Sequence, residues 1–272
     1  MVIKQNKSYK LPLSKLEIIQ KYNEGMSTYT LGKMCNCNAV NIRRILKQGN
    51  VSLRTLSEAA TKYTYDKNYF KNIDSEEKAY FLGLLFADGN VFKKTMSISL
   101  QEQDKNILEQ FKNSIQYTGP LLINNKLDNR QTQFRLSITS ESLATDLSLH
   151  GIYKNKAFHI LFPKYISKQL FRHFIRGYFD GDGCIYTNSI KNDYLISMIG
   201  PKLFLEDIQK ILINNLGLSQ TKLYNPKNCK ETGLHTLTYQ GKKNVLKIGQ
   251  FFYQDASCFI NRKYDKYLTI SN

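Results

Sequence analysis

The apolar positions in the first part of the chain recur every three or four residues, which is the period of an α-helix. Three short helices are predicted: Ser14–Glu24, one that begins at Ser27 or Thr28, and one that starts at an asparagine cap and ends at Gly49. A tight turn before the last of three such helices is typical of a helix-turn-helix module. We therefore predict a helix-turn-helix-like domain over residues 1–58.

A second pattern begins at Asp74, where helical periods alternate with short strands. Residues 59–73 are polar and weakly periodic, which predicts a linker. Gln133–Ile138 alternates strictly between polar and apolar residues, as a half-buried strand does. The predicted order is helix, two strands, helix, two strands, helix. This order occurs twice, over residues 74–165 and 166–272, and it predicts an α+β fold with an internal duplication.

A short segment is repeated within this region. Tyr80–Asn90 reads YFLGLLFADGN, and Phe174–Cys184 reads FIRGYFDGDGC. In both copies a glycine stands five residues before an aspartate, and another glycine follows the aspartate. A single copy is typical of a buried helix that ends in an Asp-Gly turn. Two copies with matching elements after them indicate a duplicated structural unit.

The repeat predicts two helices that meet at their central glycines, Gly83 and Gly177. Because glycine has no side chain, the helices can pack closely and bring Asp88 and Asp182 side by side. Two carboxylates at the negative ends of two helix dipoles require a cation, and hard oxygen ligands suit Mg²⁺. The predicted metal-site residues are Asp88, Asp182, Gly89 and Gly183. The two glycines that follow the aspartates are predicted to leave the helices in a left-handed conformation.

The chain is strongly basic, with 39 lysine and arginine residues against 22 aspartate and glutamate residues and a net charge of +17. Such an excess predicts a polyanionic partner, because neutralised phosphates release counterions. A basic surface that serves only solubility is the other interpretation. No apolar run approaches the roughly 20 residues that span a bilayer. We expect no membrane partner and a location in the cytoplasm, or in an organellar matrix if the gene is organelle-encoded.

The repeated motif resembles that of the LAGLIDADG homing endonucleases, in the single-chain form that has two motifs. The resemblance covers roughly residues 74–267, and Gly177–Gly183 is its most specific part. The first motif departs from the family pattern, since Phe86 stands where an inner acid is usual. The resemblance implies a duplicated αββαββα fold with two sheets in a saddle. It also implies a monomer that cuts a long, asymmetric double-stranded DNA site in the setting of a mobile intron or intein. Mg²⁺ is the implied cofactor, with Mn²⁺ as an alternative and Ca²⁺ as a substitute that does not support cleavage.

The same resemblance implies further catalytic residues beside Asp88 and Asp182. A basic residue after the last helix of each half neighbours the scissile phosphate in this family, which suggests Lys156 and Lys263. Lys154 and Arg262 are close alternatives, and a phosphate-positioning role is an equally good interpretation. Water-organising polar groups are expected at strand-to-helix junctions. The candidates there are Gln101 and Lys202.

Candidate DNA contacts lie on the predicted recognition helix and on the outward faces of the strands, because polar side chains there can read base edges. On the helix they are Asn38, Asn41, Arg43 and Arg44. On the sheets they are Lys93, Ser97, Ser99, Arg130, Gln133, Arg135, Tyr186, Asn188, Asn192, Lys222, Thr236 and Thr238. At any single strand position, a solvated surface is the alternative interpretation.

Two alternatives to a double-strand nuclease remain open from the sequence. A transcription regulator, or a maturase that binds intron RNA, could use the same fold without cleavage, although such proteins often lose the acids that are kept here. A nicking enzyme with one degenerate site is the second alternative, because of Phe86. The first domain could also be a three-helix bundle without DNA contacts.

Overall fold

The computed structural model describes residues 11–24, 26–54, 63–124, 132–153, 156–188, 190–225 and 233–271. The chain divides into two compact units, Met1–Tyr63 and Thr64–Asn272. In these described ranges, no helix is both long and apolar enough to cross a bilayer.

The first unit contains the three predicted helices. They are α1 (Lys15–Asn23), α2 (Thr28–Met34) and α3 (Ala39–Gln48). Ser14, Ser27 and Asn38 cap their N-termini with side-chain oxygens, which satisfies backbone N–H groups that have no partner within the helix. Ile18, Leu31 and Ile42 are buried where the helices meet.

The first half of the larger unit has the predicted order of elements. It contains α4 (Glu76–Asp88), β1 (Gly89–Phe92), β2 (Thr95–Gln101), α5 (Lys105–Ser114), β3 (Leu122–Asn124), β4 (Gln133–Thr139) and α6 (Glu141–Leu149). The four strands form an antiparallel sheet in the order β1-β2-β4-β3. Ser75 caps α4 by accepting a hydrogen bond from the Lys78 backbone.

The second half repeats this plan with two differences. It contains α7 (Phe171–Asp182), β5 (Gly183–Asn188), β6 (Asp193–Pro201), α8 (Lys202–Leu216), β7 (Leu234–Gln240), α9 (Lys242–Tyr253) and α10 (Asn261–Ser271). The first of the two strands expected after α8 is reduced, at residues 221–224, to a single antiparallel bridge between Tyr224 and Thr236, beside the sheet β5-β6-β7. The closing helix α10 was not predicted. The duplicated α+β fold is otherwise confirmed.

The register of the first sheet separates polar from apolar side chains. Ser99 lies opposite Arg135, and Gln101 lies opposite Gln133, all on one face. Ile98 and its apolar neighbours on the other face join the core. In the second sheet, Ser197 lies opposite Thr238 in the same way. Each sheet therefore keeps one face outside the core, and this face carries the polar side chains, together with Leu195 and Ile199 in the second sheet.

The glycines that end the motif helices adopt extended backbone conformations, so the predicted left-handed cap is wrong. Gly89 has φ −76° and ψ 155°, and Gly183 has φ −100° and ψ 167°. Both residues pass directly into strands. Glycine is required there for space, because a Cβ at Gly89 would lie 2.6 Å from Leu85 O and one at Gly183 would lie 2.5 Å from Phe179 O.

Candidate active site and nucleic-acid interface

The two motif helices, α4 and α7, touch backbone to backbone at their central glycines. A Cβ at Gly83 would lie 2.0 Å from the Phe174 carbonyl oxygen, and a Cβ at Gly177 would lie 2.0 Å from the Tyr80 carbonyl oxygen. The two contacts are related by the repeat, since Tyr80 and Phe174 occupy equivalent positions. The predicted glycine contact between the helices is therefore present, and it brings the two helix C-termini together.

Asp88 and Asp182 are the last residues of these helices and lie near each other. The Asp88 carboxylate is against the facing helix, with Oδ2 2.8 Å from the place that a Cβ on Gly181 would occupy. Both aspartates keep contact with solvent, although many protein atoms surround them. Partial burial among these protein atoms raises the pKa of Asp88 to about 6, and the negative charge of the neighbouring Asp182 raises it further. The pKa of Asp182 is also raised by burial.

Two lysines approach the carboxylate pair from outside the motifs. Lys156 Nζ donates a hydrogen bond to Ala87 O at 3.0 Å. Lys263 Nζ donates to carbonyl oxygens at the end of α7, namely Phe179 O at 2.5 Å, Asp180 O at 2.8 Å and Gly183 O at 2.7 Å. Burial lowers the pKa of both amines, and that of Lys263 falls to about 8. Each ammonium group therefore faces the negative end of a motif helix and lies in the electric field of the aspartates.

The donor set of this site fits a hard divalent cation. The described residues contain no cluster of three or more His, Cys, Asp and Glu side chains. The protein side chains therefore offer two carboxylates, Asp88 and Asp182, whose pKa values are raised. Mg²⁺ is commonly held by one or two carboxylates, with water and substrate phosphate as its other ligands. The metal-ligand roles of Gly89 and Gly183 stay predictions.

A buried polar cluster beside the site was not predicted from the sequence. Asp180 is fully buried in α7, and its Oδ2 accepts hydrogen bonds from the Tyr80 hydroxyl and the Ile260 backbone. Arg176, one turn earlier and also fully buried, donates to Glu76 Oε1 at 2.7 Å. Burial raises the pKa of Asp180. The only indication of this cluster in the sequence is that Arg176 and Asp180 are charged residues within an otherwise apolar motif.

The remaining candidates for catalysis stay predictions. Gln101 and Lys202 are exposed at strand-to-helix junctions, as expected. The charge of Arg262 is already paired within the protein, because its Nε donates to both carboxylate oxygens of Asp104 at 3.0 Å. Lys154 lies outside the described residues.

The region around the second motif matches a known protein family. Residues 170–250 match the LAGLIDADG-like domain. The resemblance found in the sequence is confirmed there. Residues 12–54 match the family of the CENP-B N-terminal DNA-binding domain, which fits the three-helix unit. Among proteins with curated descriptions, none matches this sequence closely.

Several solved structures are similar to this chain. One is the LAGLIDADG homing endonuclease I-LtrWI bound to target DNA, at 12% identity and a TM-score of 0.46, over 75% of this chain and 90% of that one. Another is I-SmaMI bound to cleaved DNA, at 14% identity and a TM-score of 0.47, over 74% and 88% of the two chains. I-SmaMI bound to uncleaved DNA in the presence of calcium ions matches at 13% identity and a TM-score of 0.44, over 73% and 90%.

The predicted base-reading residues on the two sheets differ in how exposed their side chains are. Those that are exposed are Lys93, Tyr186, Asn192 and Lys222. Those that are partly exposed are Ser99, Gln133, Arg135, Asn188, Thr236 and Thr238. Ser97 lies on the same face as Ser99 but is only 5% exposed, because the Arg135 guanidinium covers it and donates to its Oγ at 2.9 Å; its contact with DNA stays a prediction. Arg130 lies outside the described residues.

The candidate recognition helix α3 presents two exposed arginines, Arg43 and Arg44. Asn38 serves as the helix cap, because its Oδ1 accepts a hydrogen bond from Asn41 N at 3.0 Å. Asn41 is partly buried. The arginines are therefore the freest of the four candidates for contacts with a nucleic acid.

Proposed function

We propose that this protein is a site-specific, divalent-cation-dependent endonuclease that cuts double-stranded DNA. The observation that carries the proposal is the pair Asp88 and Asp182 at the adjoining ends of α4 and α7. Burial is the main cause of their raised pKa values, and the Asp182 charge adds to the rise at Asp88, so a bound cation would stabilise the ionised carboxylates. The net charge of +17 supports a polyanionic substrate.

In this proposal Asp88 and Asp182 are the residues that would hold Mg²⁺ beside the DNA backbone. The bound ion would supply Lewis-acid polarisation of the scissile phosphate and would lower the pKa of a bound water molecule. Asp88, with a pKa of about 6, is mostly ionised at neutral pH and can therefore bind a cation under ordinary conditions.

Lys156 and Lys263 would stabilise negative charge that develops on the phosphate. Both amines are fixed by backbone carbonyls at the helix ends, so they need little rearrangement during the reaction. Lys263, with a pKa of about 8, is mostly protonated at neutral pH. Its ammonium form is the one that could oppose phosphate charge.

The polar faces of the two sheets would read the target in the major groove. Arg135 and Gln133 on the first sheet are suited to guanine and adenine edges. The second sheet presents Thr236 and Thr238 at its polar face, together with Tyr186. Because the two faces differ in chemistry, the target is a long, asymmetric site, and one chain is sufficient to bind it. The helix-turn-helix-like unit would add contacts through Arg43 and Arg44.

Selection from a randomised duplex library tests the proposal. The library is incubated with protein and Mg²⁺, and the cut fragments are sequenced. We expect a single family of target sites cut on both strands, and no cutting when EDTA replaces Mg²⁺. Asp88→Asn and Asp182→Asn should abolish cutting of the selected duplex while gel-shift binding is kept. Asp265→Asn, an exposed acid on α10, is the matched control that should cut normally.

The outcomes separate this function from its alternatives. Tight binding to a selected duplex without cutting would contradict the nuclease proposal and favour a regulator. Preference for a structured intron RNA over all duplexes would favour a maturase. Cutting that is confined to one strand would favour a nicking enzyme.

A further inference from the structure

The two motif helices differ at the buried position that precedes each catalytic aspartate by two residues. Phe86 holds this place before Asp88, and Asp180 holds it before Asp182. Phe86 packs edge to face on Phe174, with ring centroids 5.0 Å apart. Asp180 has no exposed surface. A buried carboxylate is unfavourable unless its oxygens are hydrogen-bonded, so the partners of Asp180 indicate its purpose.

Asp180 connects α7 to three other segments. Its Oδ2 accepts from Tyr80 Oη at 2.7 Å, on α4, and from Ile260 N at 2.8 Å, at the start of α10. Its Oδ1 faces Tyr253 Oη at 3.4 Å, at the end of α9. The bond to Ile260 is the one that bears on the active site, because Ile260 stands directly before the helix that carries Lys263.

The side chain of Lys263 extends to the C-terminal end of α7, where Asp180 also lies. Its backbone N–H donates to Ile260 O at 3.0 Å, which sets it in the first turn of α10. Its Nζ then donates to three carbonyl oxygens at the end of α7, one of them that of Asp180 itself. Asp180 therefore fixes the backbone from which Lys263 projects, and the lysine amine has a single supported position.

Among the residues that the structure describes, the first half shows no comparable arrangement. Phe86 cannot accept a hydrogen bond, so it cannot hold the chain that bears Lys156. Lys156 lies on a single turn of 3-10 helix, Lys156–Phe158, and among the described residues its Nζ has one hydrogen-bond acceptor, Ala87 O. The amine beside the first motif is thus less constrained than the amine beside the second.

We propose that Asp180 is a positioning residue for Lys263, and that the two active sites are unequal as a result. The site served by Lys263 is preorganised and cuts its DNA strand first, so that a nicked duplex accumulates before the second cut. This inference rests on the proposed function, since it assumes that each site cuts one strand.

Strand-resolved kinetics test the inequality. Each strand of the selected duplex carries a different 5′ dye, and cleavage is followed under single-turnover conditions. We expect wild-type protein to cut one strand faster. Asp180→Leu should slow that strand by about 10- to 100-fold, because a misplacement of about 1 Å can cost a factor of that size. Asp180→Asn keeps an acceptor for the Ile260 N–H and should restore most of the rate. Lys263→Met should slow the same strand.

Several results would overturn the inference. They are equal cutting of both strands by wild type, equal slowing of both strands by Asp180→Leu, and no slowing at all. If Asp180→Leu does not fold, Tyr80→Phe replaces it, because this variant removes one hydroxyl donor to Asp180 without a change in shape. We expect a smaller slowing of the same strand. Slowing of both strands alike by Tyr80→Phe would also count against it.

A measurement without metal or DNA separates this inference from the proposed function. The protein is treated with limiting acetic anhydride, and acetylation of Lys263 is compared by mass spectrometry with that of Lys266, an exposed lysine on the same helix. Wild-type Lys263 is 3% exposed and should react slowly. Asp180→Leu should raise the Lys263 to Lys266 ratio several-fold, and Asp180→Asn should not. An unchanged ratio would refute positioning by Asp180, even if the wild-type protein cut no duplex.

Discussion

Replacing Gly83 by alanine would place a methyl group inside the backbone of the facing helix. The new Cβ would lie 2.0 Å from Phe174 O and 2.9 Å from both Phe174 C and Tyr178 N. Real Cβ contacts below 3.0 Å essentially do not occur. All three neighbouring atoms belong to backbone, so no side chain can rotate away. The helices α4 and α7 must therefore separate by about 1 Å, because interiors are close-packed.

Two effects of this separation can be estimated. Overpacking of a core costs about 1–3 kcal/mol, and the better helix propensity of alanine offsets about 1 kcal/mol of that. At about 2–4 °C per kcal/mol for a unit of this size, the upper estimate lowers the melting temperature by several degrees. The catalytic effect is larger. The aspartates at the helix ends move with the helices, and a displacement of about 1 Å can reduce a rate by about 100-fold.

The assay combines thermal unfolding with single-turnover cleavage at a temperature where every variant is folded. Gly83→Ala and Gly177→Ala should both lose cleavage beyond their loss of stability. Gly249→Ala is the matched control, since it also introduces a methyl group into a buried helix, but the three nearest atoms there belong to the side-chain ring of Tyr267 and not to backbone. We expect that control to keep its cleavage rate. If Gly83→Ala melts and cuts as wild type does, the close helix contact does not set the catalytic geometry.

Three further predictions concern charged and titratable groups. The pKa of Asp88, about 6, predicts that Mg²⁺ affinity measured by calorimetry falls as pH drops below about 6, because the protonated acid cannot bind a cation; a pH-independent affinity would contradict this. Burial and the Arg176 charge lower the pKa of His173 to about 4. The stability that this residue contributes should therefore be complete above pH 6.5 and should decline as pH falls towards 4. His173→Asn should flatten that decline, as measured by urea titrations at several pH values. Glu76→Gln leaves the buried Arg176 charge without its carboxylate and should lower the free energy of unfolding by about 3–5 kcal/mol. Glu109→Gln, in an exposed pair, should lower it by less than about 1 kcal/mol. Equal losses of stability would refute this difference.

The glycine contact between the motif helices could be predicted because it depends on local properties. A glycine at a fixed distance from an Asp-Gly ending restricts what can pack there, and the repeat shows that both copies obey the same restriction. The structure has the expected contact at Gly83 and Gly177. The strand faces could be predicted for a similar reason, because side chains alternate across a strand whatever its partners are.

The unpredicted features depend on contacts between distant parts of the chain. Helix α10 has only Lys263 and Ile270 buried, so it gives almost no apolar period in the sequence. The segment at 221–224 forms a bridge instead of a strand, and the Gln209 side chain occupies the Thr221 carbonyl at 2.8 Å. Gln209 and Thr236, the partners of this segment, are each twelve residues away from the residues they bind, so the local pattern of the sequence could not show these contacts.

The polar groups of the second motif also determine which halves can pair. In this chain, Asp180 is hydrogen-bonded by Tyr80 and Arg176 is paired with Glu76, and both partners belong to the first half. A symmetric dimer of residues 166–272 would present the equivalent residues, Phe174 and Leu170, in their place. Two copies of a buried acid would then lose a donor, and two copies of a buried guanidinium would lose their carboxylate. Since each uncompensated buried charge costs about 3–5 kcal/mol, we expect the isolated second half to form no folded dimer in sedimentation and circular dichroism measurements. A stable folded dimer would show that the buried pairs between the halves are dispensable.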